Sequence, residues 1–241
     1  MDCQVTFTAN AGVIVKCGQF RFAVDALHEE KTPYFSTMSG AMCHRVLDEM
    51  EEEPWDLMIN THHHLDHASR RLTAEVLRRK PKTLLLDPCG QEDFQSHLER
   101  VNKLLAEREI HIEACYLEHA QPIITPGLDN YGFLLTISGH TLLFTGDSAF
   151  EAPEIKTLIA GRQIDVAFLN FTWITGKVGR RILPEVVRPK HMVVFHIPFD
   201  YDDEYDYRTA VQACRKSFFA DQDVRIMLDF GQKETIRLLP V

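Results

Sequence analysis

Residues 3–9 alternate between apolar and polar positions, with Val5 and Phe7 on one face, and predict a first strand. Val13 to Val15 and Phe20 to Val24 flank Gly18-Gln19, the pattern of a hairpin. Leu57 to Asn60 is a short apolar strand. Residues 68–80 then switch to helical spacing, with Leu72, Val76 and Leu77 facing inward. After the apolar run 82–86, Phe94, Leu98, Val101 and Leu105 recur at three-to-four spacing and predict a helix near 91–108.

The second half repeats this style. Ala114 to Leu117 reads as a strand. Phe133 to Ile137 and Leu142 to Phe144 flank Ser138-Gly139-His140 and predict a second hairpin. Val166 to Leu169 and Met192 to Phe195 are apolar enough to be buried strands. Val211, Cys214 and Phe218 mark a late helix, followed by strands near 223–228 and 234–239. Hairpins and strand–helix units in both halves predict two mixed sheets with helices outside, in four layers. The fold class is therefore α+β, in one domain spanning 1–241.

Composition narrows the function. At 241 residues, 45% hydrophobic and 25% charged, the chain can bury a core without staples. No apolar run is long enough to span a bilayer, and Met1-Asp2-Cys3-Gln4-Val5 lacks the features of a signal peptide. The expectation is a cytoplasmic protein off the membrane. Six scattered cysteines, without a C-x-x-C pair, are expected to be reduced and structural. A net charge of −9 disfavours phosphate backbones, so nucleic acid is not the expected partner.

The chemistry concentrates in Thr61-His62-His63-His64-Leu65-Asp66-His67. Four histidines and a carboxylate directly after an apolar strand are costly unless something binds them. Imidazole and carboxylate ligate zinc and related first-row metals. In an extended loop His62 and His64 lie on one side, and Asp66 and His67 follow where the chain turns into a helix. Thr145-Gly146-Asp147-Ser148 follows the apolar run Leu142-Leu143-Phe144. His196 ends another, with His191 as the alternative at its start, and Glu118-His119 follows the strand ending at Leu117.

The pattern H-x-H-x-D-H, filled by His62, His64, Asp66 and His67, resembles the metallo-β-lactamase fold superfamily, with His63 as a spacer. The resemblance implies an αββα sandwich with a one- or two-metal site at the sheet edge. It implies Asp147 as a ligand bridging two metals and His196 as the last histidine. His119 resembles the ligand of the branch holding ascorbate-phosphate lactonases, cyclic phosphodiesterases and tRNA-processing nucleases, with His97 and His111 as alternatives. The glyoxalase-type branch carries T-P-G-H where Thr125-Pro126-Gly127 is followed here by Leu128. Asp25, at the end of Phe20 to Val24, reads equally as a support for a metal-bound histidine and as a turn residue.

The implied function is a hydrolase using a metal-bound hydroxide at a dinuclear site, with zinc first and manganese or iron as alternatives. Asp66, His67 and Asp147 are its catalytic candidates, and a small lactone or phosphodiester its substrate. The alternatives are an RNA-processing nuclease and a non-catalytic metal sensor. His62, His64 and His119 are expected around one metal, and Asp66, His67 and His196 around a second, with Asp147 between. Loops 28–45, 120–131, 148–154 and 171–181 are the expected pocket walls, with Tyr34, Phe35, Trp173 and Tyr201 as candidate aromatics. His28, His44 and His140 are expected at the surface. Arg180-Arg181 reads as a solvated pair.

Overall fold

The computed structural model describes residues 1–120 and 129–240. The chain divides into two compact units, one built from Met1–Gly90, His196–Tyr205 and Met227–Pro240, the other from Gln91–Phe195 and Asp206–Ile226. Each unit carries one six-stranded mixed sheet.

In the first unit, β1 (Asp2–Phe7), β2 (Val13–Cys17) and β3 (Phe20–Val24) form an antiparallel meander, followed by β4 (Leu57–Ile59) and β5 (Leu84–Leu86). The order is β12-β1-β2-β3-β4-β5, where β12 (Lys233–Arg237) returns from the far end of the chain to pair with β1. The pairs β3–β4 and β4–β5 are parallel, because helical crossovers join them. Those crossovers contain α1 (Gly40–Glu52) and α2 (Arg70–Arg79). Ser39 and Ser69 cap the two helices, their hydroxyls accepting from Met42 N and Leu72 N, each at 3.2 Å.

Helix α1 takes up the last six residues of the expected 28–45 loop. Its buried stripe is Cys43, Val46, Leu47 and Met50. On α2, Thr73 is buried in place of the half-exposed Leu77. The cysteine expectation is corrected at Cys3 and Cys17, which form a disulfide. The β1–β2 register places them directly opposite each other, with both side chains buried.

The second unit holds the sheet β11-β10-β9-β8-β7-β6. Its members are β6 (Ile110–Leu117), β7 (Asn130–Ile137), β8 (His140–Phe144), β9 (Val166–Asn170), β10 (His191–Phe195) and β11 (Asp223–Ile226). The strands β6, β7 and β8 run antiparallel, and β8 to β11 run parallel. Around them lie α3 (Phe94–Leu105), α4 (Pro153–Ile159), α5 (Thr172–Thr175), α6 (Lys177–Ile182) and α7 (Tyr207–Phe218). Every residue of β8 is buried, as its apolar run requires.

Helices α5 and α6 fill the expected 171–181 loop. Phe218, one of the residues that mark the late helix, is 57% exposed, with the Arg180 guanidinium 4.3 Å above its ring. Among the described residues no helix is long and apolar enough to cross a membrane.

Candidate metal centre

The loop leaving β4 is polar but sheltered. His62, Asp66 and His67 are buried, and His64 is half-buried. After His64 the chain turns, with His67 N and Ala68 N donating to the His64 carbonyl at 3.0 and 3.1 Å, and α2 begins two residues later. The two halves of the motif are therefore held by one turn.

Asp25, directly after β3, organises the loop. Its carboxylate accepts Thr61 N at 2.7 Å, the Thr61 hydroxyl at 2.6 Å and His67 Nδ1 at 2.9 Å. Asp25 thus holds the His67 imidazole and is more than a turn residue. With its Nδ1 proton given to Asp25, His67 presents the Nε2 lone pair outward. That Nε2 lies 3.0 Å from His196 Nε2, which is 3.5 Å from Asp66 Oδ2.

His196 follows β10 with a left-handed backbone (φ +66°), its N–H donating to the Asn10 carbonyl at 2.6 Å. The Phe35 ring stands edge-on to it at 4.3 Å between centroids. Ligand atoms of Asp66, His67 and His196 all lie within 4.8 Å of one another. Two nitrogens each about 2.0–2.1 Å from a tetrahedral cation sit roughly 3.3 Å apart, so this donor set fits a divalent metal. The same spacing recurs at His62 Nε2 and His64 Nδ1, 3.0 Å apart, with His62 Nδ1 held by the Thr61 hydroxyl at 3.0 Å.

In the second unit, His119 and Asp147 stand beyond the ends of β6 and β8. A bridge joins His119 to Ser148. Ala120 N donates to the Asp147 carbonyl and Ala149 N to the Glu118 carbonyl, both at 2.7 Å. His119 Nε2 is thereby brought 3.8 Å from Asp147 Oδ2. Two asparagines that sequence reasoning missed position the aspartate. Asn130 Oδ1 accepts Asp147 N at 3.0 Å, and Asn170 Nδ2 donates to Asp147 Oδ1 at 2.8 Å. Their sequence signal is an amide at a strand boundary, Asn130 opening β7 and Asn170 closing β9.

The rival histidines stand elsewhere. His97 lies on α3 beside Arg100, and His111 is exposed near the start of β6. His191, at the start of β10, pairs with Asp223 at 2.8 Å. His44 is exposed as expected, but His28 and His140 are buried, at 0% and 4% exposure. Burial pushes the His28 imidazole down to about 4, against the opposing pull of Asp66. His140 instead meets Asp165, Nδ1 to Oδ2 at 3.5 Å.

Of the candidate aromatics, Phe35 touches His196, while Tyr34 and Tyr201 are exposed. Trp173 is fully buried against Phe150 and serves packing. Arg181 pairs with Glu151, whereas Arg180 is tied to the Ile174 and Thr175 carbonyls. Thr125, Pro126, Gly127 and Leu128 lie outside the described residues.

No protein-family model matches the chain, and no curated protein matches it. Solved structures do. Igni18, a metallo hydrolase from the archaeon Ignicoccus hospitalis, is 16% identical over 99% of this chain and 100% of that one, with a TM-score of 0.66. A protein of Veillonella parvula, described as a possible metal-dependent hydrolase, is 16% identical over 97% and 99%, with a TM-score of 0.65. YhfI of Bacillus subtilis, a metallo-β-lactamase fold protein, is 13% identical over 98% and 100%, with a TM-score of 0.59. Two mixed six-stranded sheets with flanking helices, and a likeness that runs the length of these structures, give this chain the metallo-β-lactamase fold.

Proposed function

We propose that the protein is a metal-dependent hydrolase of small molecules, with a lactone or a phosphodiester as its substrate. The observation that carries this reading is the buried set Asp66, His67 and His196, with Asp25 fixing the tautomer of His67. Such a concentration of donors in a buried site is expensive without a cation to hold. The description of Igni18 as a metallo hydrolase supports it.

Asp66, His67 and His196 are proposed as one ligand set, and His62 and His64 in the first unit and His119 and Asp147 in the second are the remaining proposed ligands, for two divalent ions with zinc first. A divalent ion bound there polarises a carbonyl or phosphoryl oxygen and makes hydroxide accessible near neutral pH. The chain's own residues supply orientation. Asp25 holds His67, and Asn170 turns Asp147 so that Oδ2 faces His119. Phe35 packs edge-on against the His196 ring. The net charge of −9 favours a small substrate over a nucleic acid.

The test is turnover on a panel of lactones and phosphodiesters. Complete chelation should abolish it, and zinc, manganese or iron should restore it. Activity that persists in metal-free protein overturns the proposal. His119→Ala should lower metal occupancy as well as turnover.

A further inference from the structure

His63 has no place in either ligand set, yet its side chain is as firmly held as those of its neighbours. Its Nε2 lies 2.7 and 2.9 Å from the two oxygens of Asp87. The same carboxylate accepts Asn60 Nδ2 at 3.1 Å. On the other side of the ring, Arg70 reaches His63 Nδ1 at 3.5 Å. A guanidinium can only donate, so Nδ1 is the acceptor and Nε2–H is the donor to Asp87.

The sheet explains why this carboxylate is there. Val24, Ile59 and Leu86 sit side by side at the ends of the parallel strands β3, β4 and β5. One residue further on, the same register sets Asp25, Asn60 and Asp87. The loop leaving the middle strand is thus flanked by two carboxylates. Asp25 takes Thr61 and His67, and Asp87 takes Asn60 and His63. Alternation along an extended segment sends His62 and His64 one way and His63 the other.

We propose that Asp87 and His63 are positioning residues that fix His62 and His64 for their metal, as Asp25 fixes His67 for the other. The inference rests on the metal-binding reading above and gives the supposed spacer its task. Asp87 grips the chain on both sides of His62, at Asn60 and at His63. Asp87 therefore acts on the His62–His64 position alone, whereas Asp25 reaches His67 directly and His62 only through the Thr61 hydroxyl.

The experiment is a cobalt and zinc titration of the purified full chain, read by bound metal, by chelator competition and by the cobalt absorption spectrum. Wild type should take up two ions. Asp87→Ala and His63→Ala should each weaken one of the two by about 10–100-fold and leave the other in place. Asp25→Ala should weaken the ion at His67 most, with a smaller effect through Thr61 on the one at His62, and the double variant Asp25→Ala/Asp87→Ala should weaken both strongly. Asp87→Asn keeps an acceptor and His63→Gln keeps a donor, so each should recover most of the loss. That recovery separates positioning from a general loss of fold. Should Asp87→Ala fail to fold, His63→Gln against His63→Leu carries the same comparison. Unchanged affinities in folded variants, or equal weakening at both positions, overturn the inference. Wild-type protein that takes up no metal overturns the hydrolase reading itself, and this inference with it.

Discussion

Asp25 and Asp165 are both buried carboxylates beside a histidine, at 2% and 6% exposure, and they are satisfied in opposite ways. Asp165, one residue before β9, has a cation of its own, with Lys190 Nζ at 2.7 Å. It also accepts Thr141 N at 2.9 Å, and His140 Nδ1 stands 3.5 Å away. Burial alone would raise its carboxyl, but Lys190 and the Thr141 amide hold it below the usual range. Among the described residues, Asp25, one residue after β3, receives Thr61 and His67, neither of them a lysine or arginine.

A buried charge needs compensation. Asp165 finds it locally and ties strand starts together. Asp25 passes its charge through an imidazole whose other nitrogen faces a second histidine, so its compensation lies one group further on. The first arrangement is closed within the scaffold, and the second is the one proposed to be completed by a metal.

The strongest way to break this contrast is Asp25→Ala. It strands the Thr61 donors and His67 Nδ1, and should cost about 3 kcal/mol of stability and metal affinity at His67. Urea unfolding with metal titration reads both, and a stable, fully metallated variant would erase the distinction. Asp165→Ala should cost about 1–3 kcal/mol, because the buried Thr141 amide loses its acceptor. It should leave metal uptake untouched, which the same titration checks.

A smaller effect lies in acid. A carboxyl held below its ordinary 3.8 contributes stability that is complete above that value and is lost as pH falls through the folded-state value. Wild type should therefore lose more stability below 3.8 than Asp165→Asn does, as circular dichroism against pH would show. Smallest of all is the effect of His140→Ala on the metal centre, where metal content should equal that of wild type despite the buried histidine.

The ligand candidates were visible in the sequence because each is a polar residue at or just beyond the end of an apolar run. Asp147 and His196 follow buried strands, and the motif loop follows Leu57 to Ile59. What stayed hidden depends on partners distant in the chain. His28 and His140 read as surface residues in turn-like contexts, and the neighbours that bury them are not adjacent in sequence. His140 meets Asp165 only because β8 and β9 pair. His63 looked like a spacer because its partner Asp87 lies on another strand end. The Cys3–Cys17 link follows from strand register, which cysteine spacing does not reveal. Helix α1 is a different case. Cys43, Val46, Leu47 and Met50 have the helical spacing behind a serine cap, but Gly40 at its start and the acidic stretch at its end resemble a loop.

The pairing of β1 with β12 sets the order of events at the ribosome. Asp2 lies opposite Arg237, and the terminal amine of Met1 donates to the Leu238 carbonyl at 2.8 Å. Closing so long a loop costs little extra at equilibrium, since the entropy grows only with the logarithm of its length. It costs time. At about 5–20 residues per second, β1 waits roughly 10–50 s for its neighbour to be synthesised. Throughout that interval its outer edge is an open template for another chain's strand. The histidine loop is made early, yet the sheet that carries it is finished late. Nascent chains stalled before residue 233 should therefore be the aggregation-prone form, recruiting chaperones that the finished sheet no longer engages.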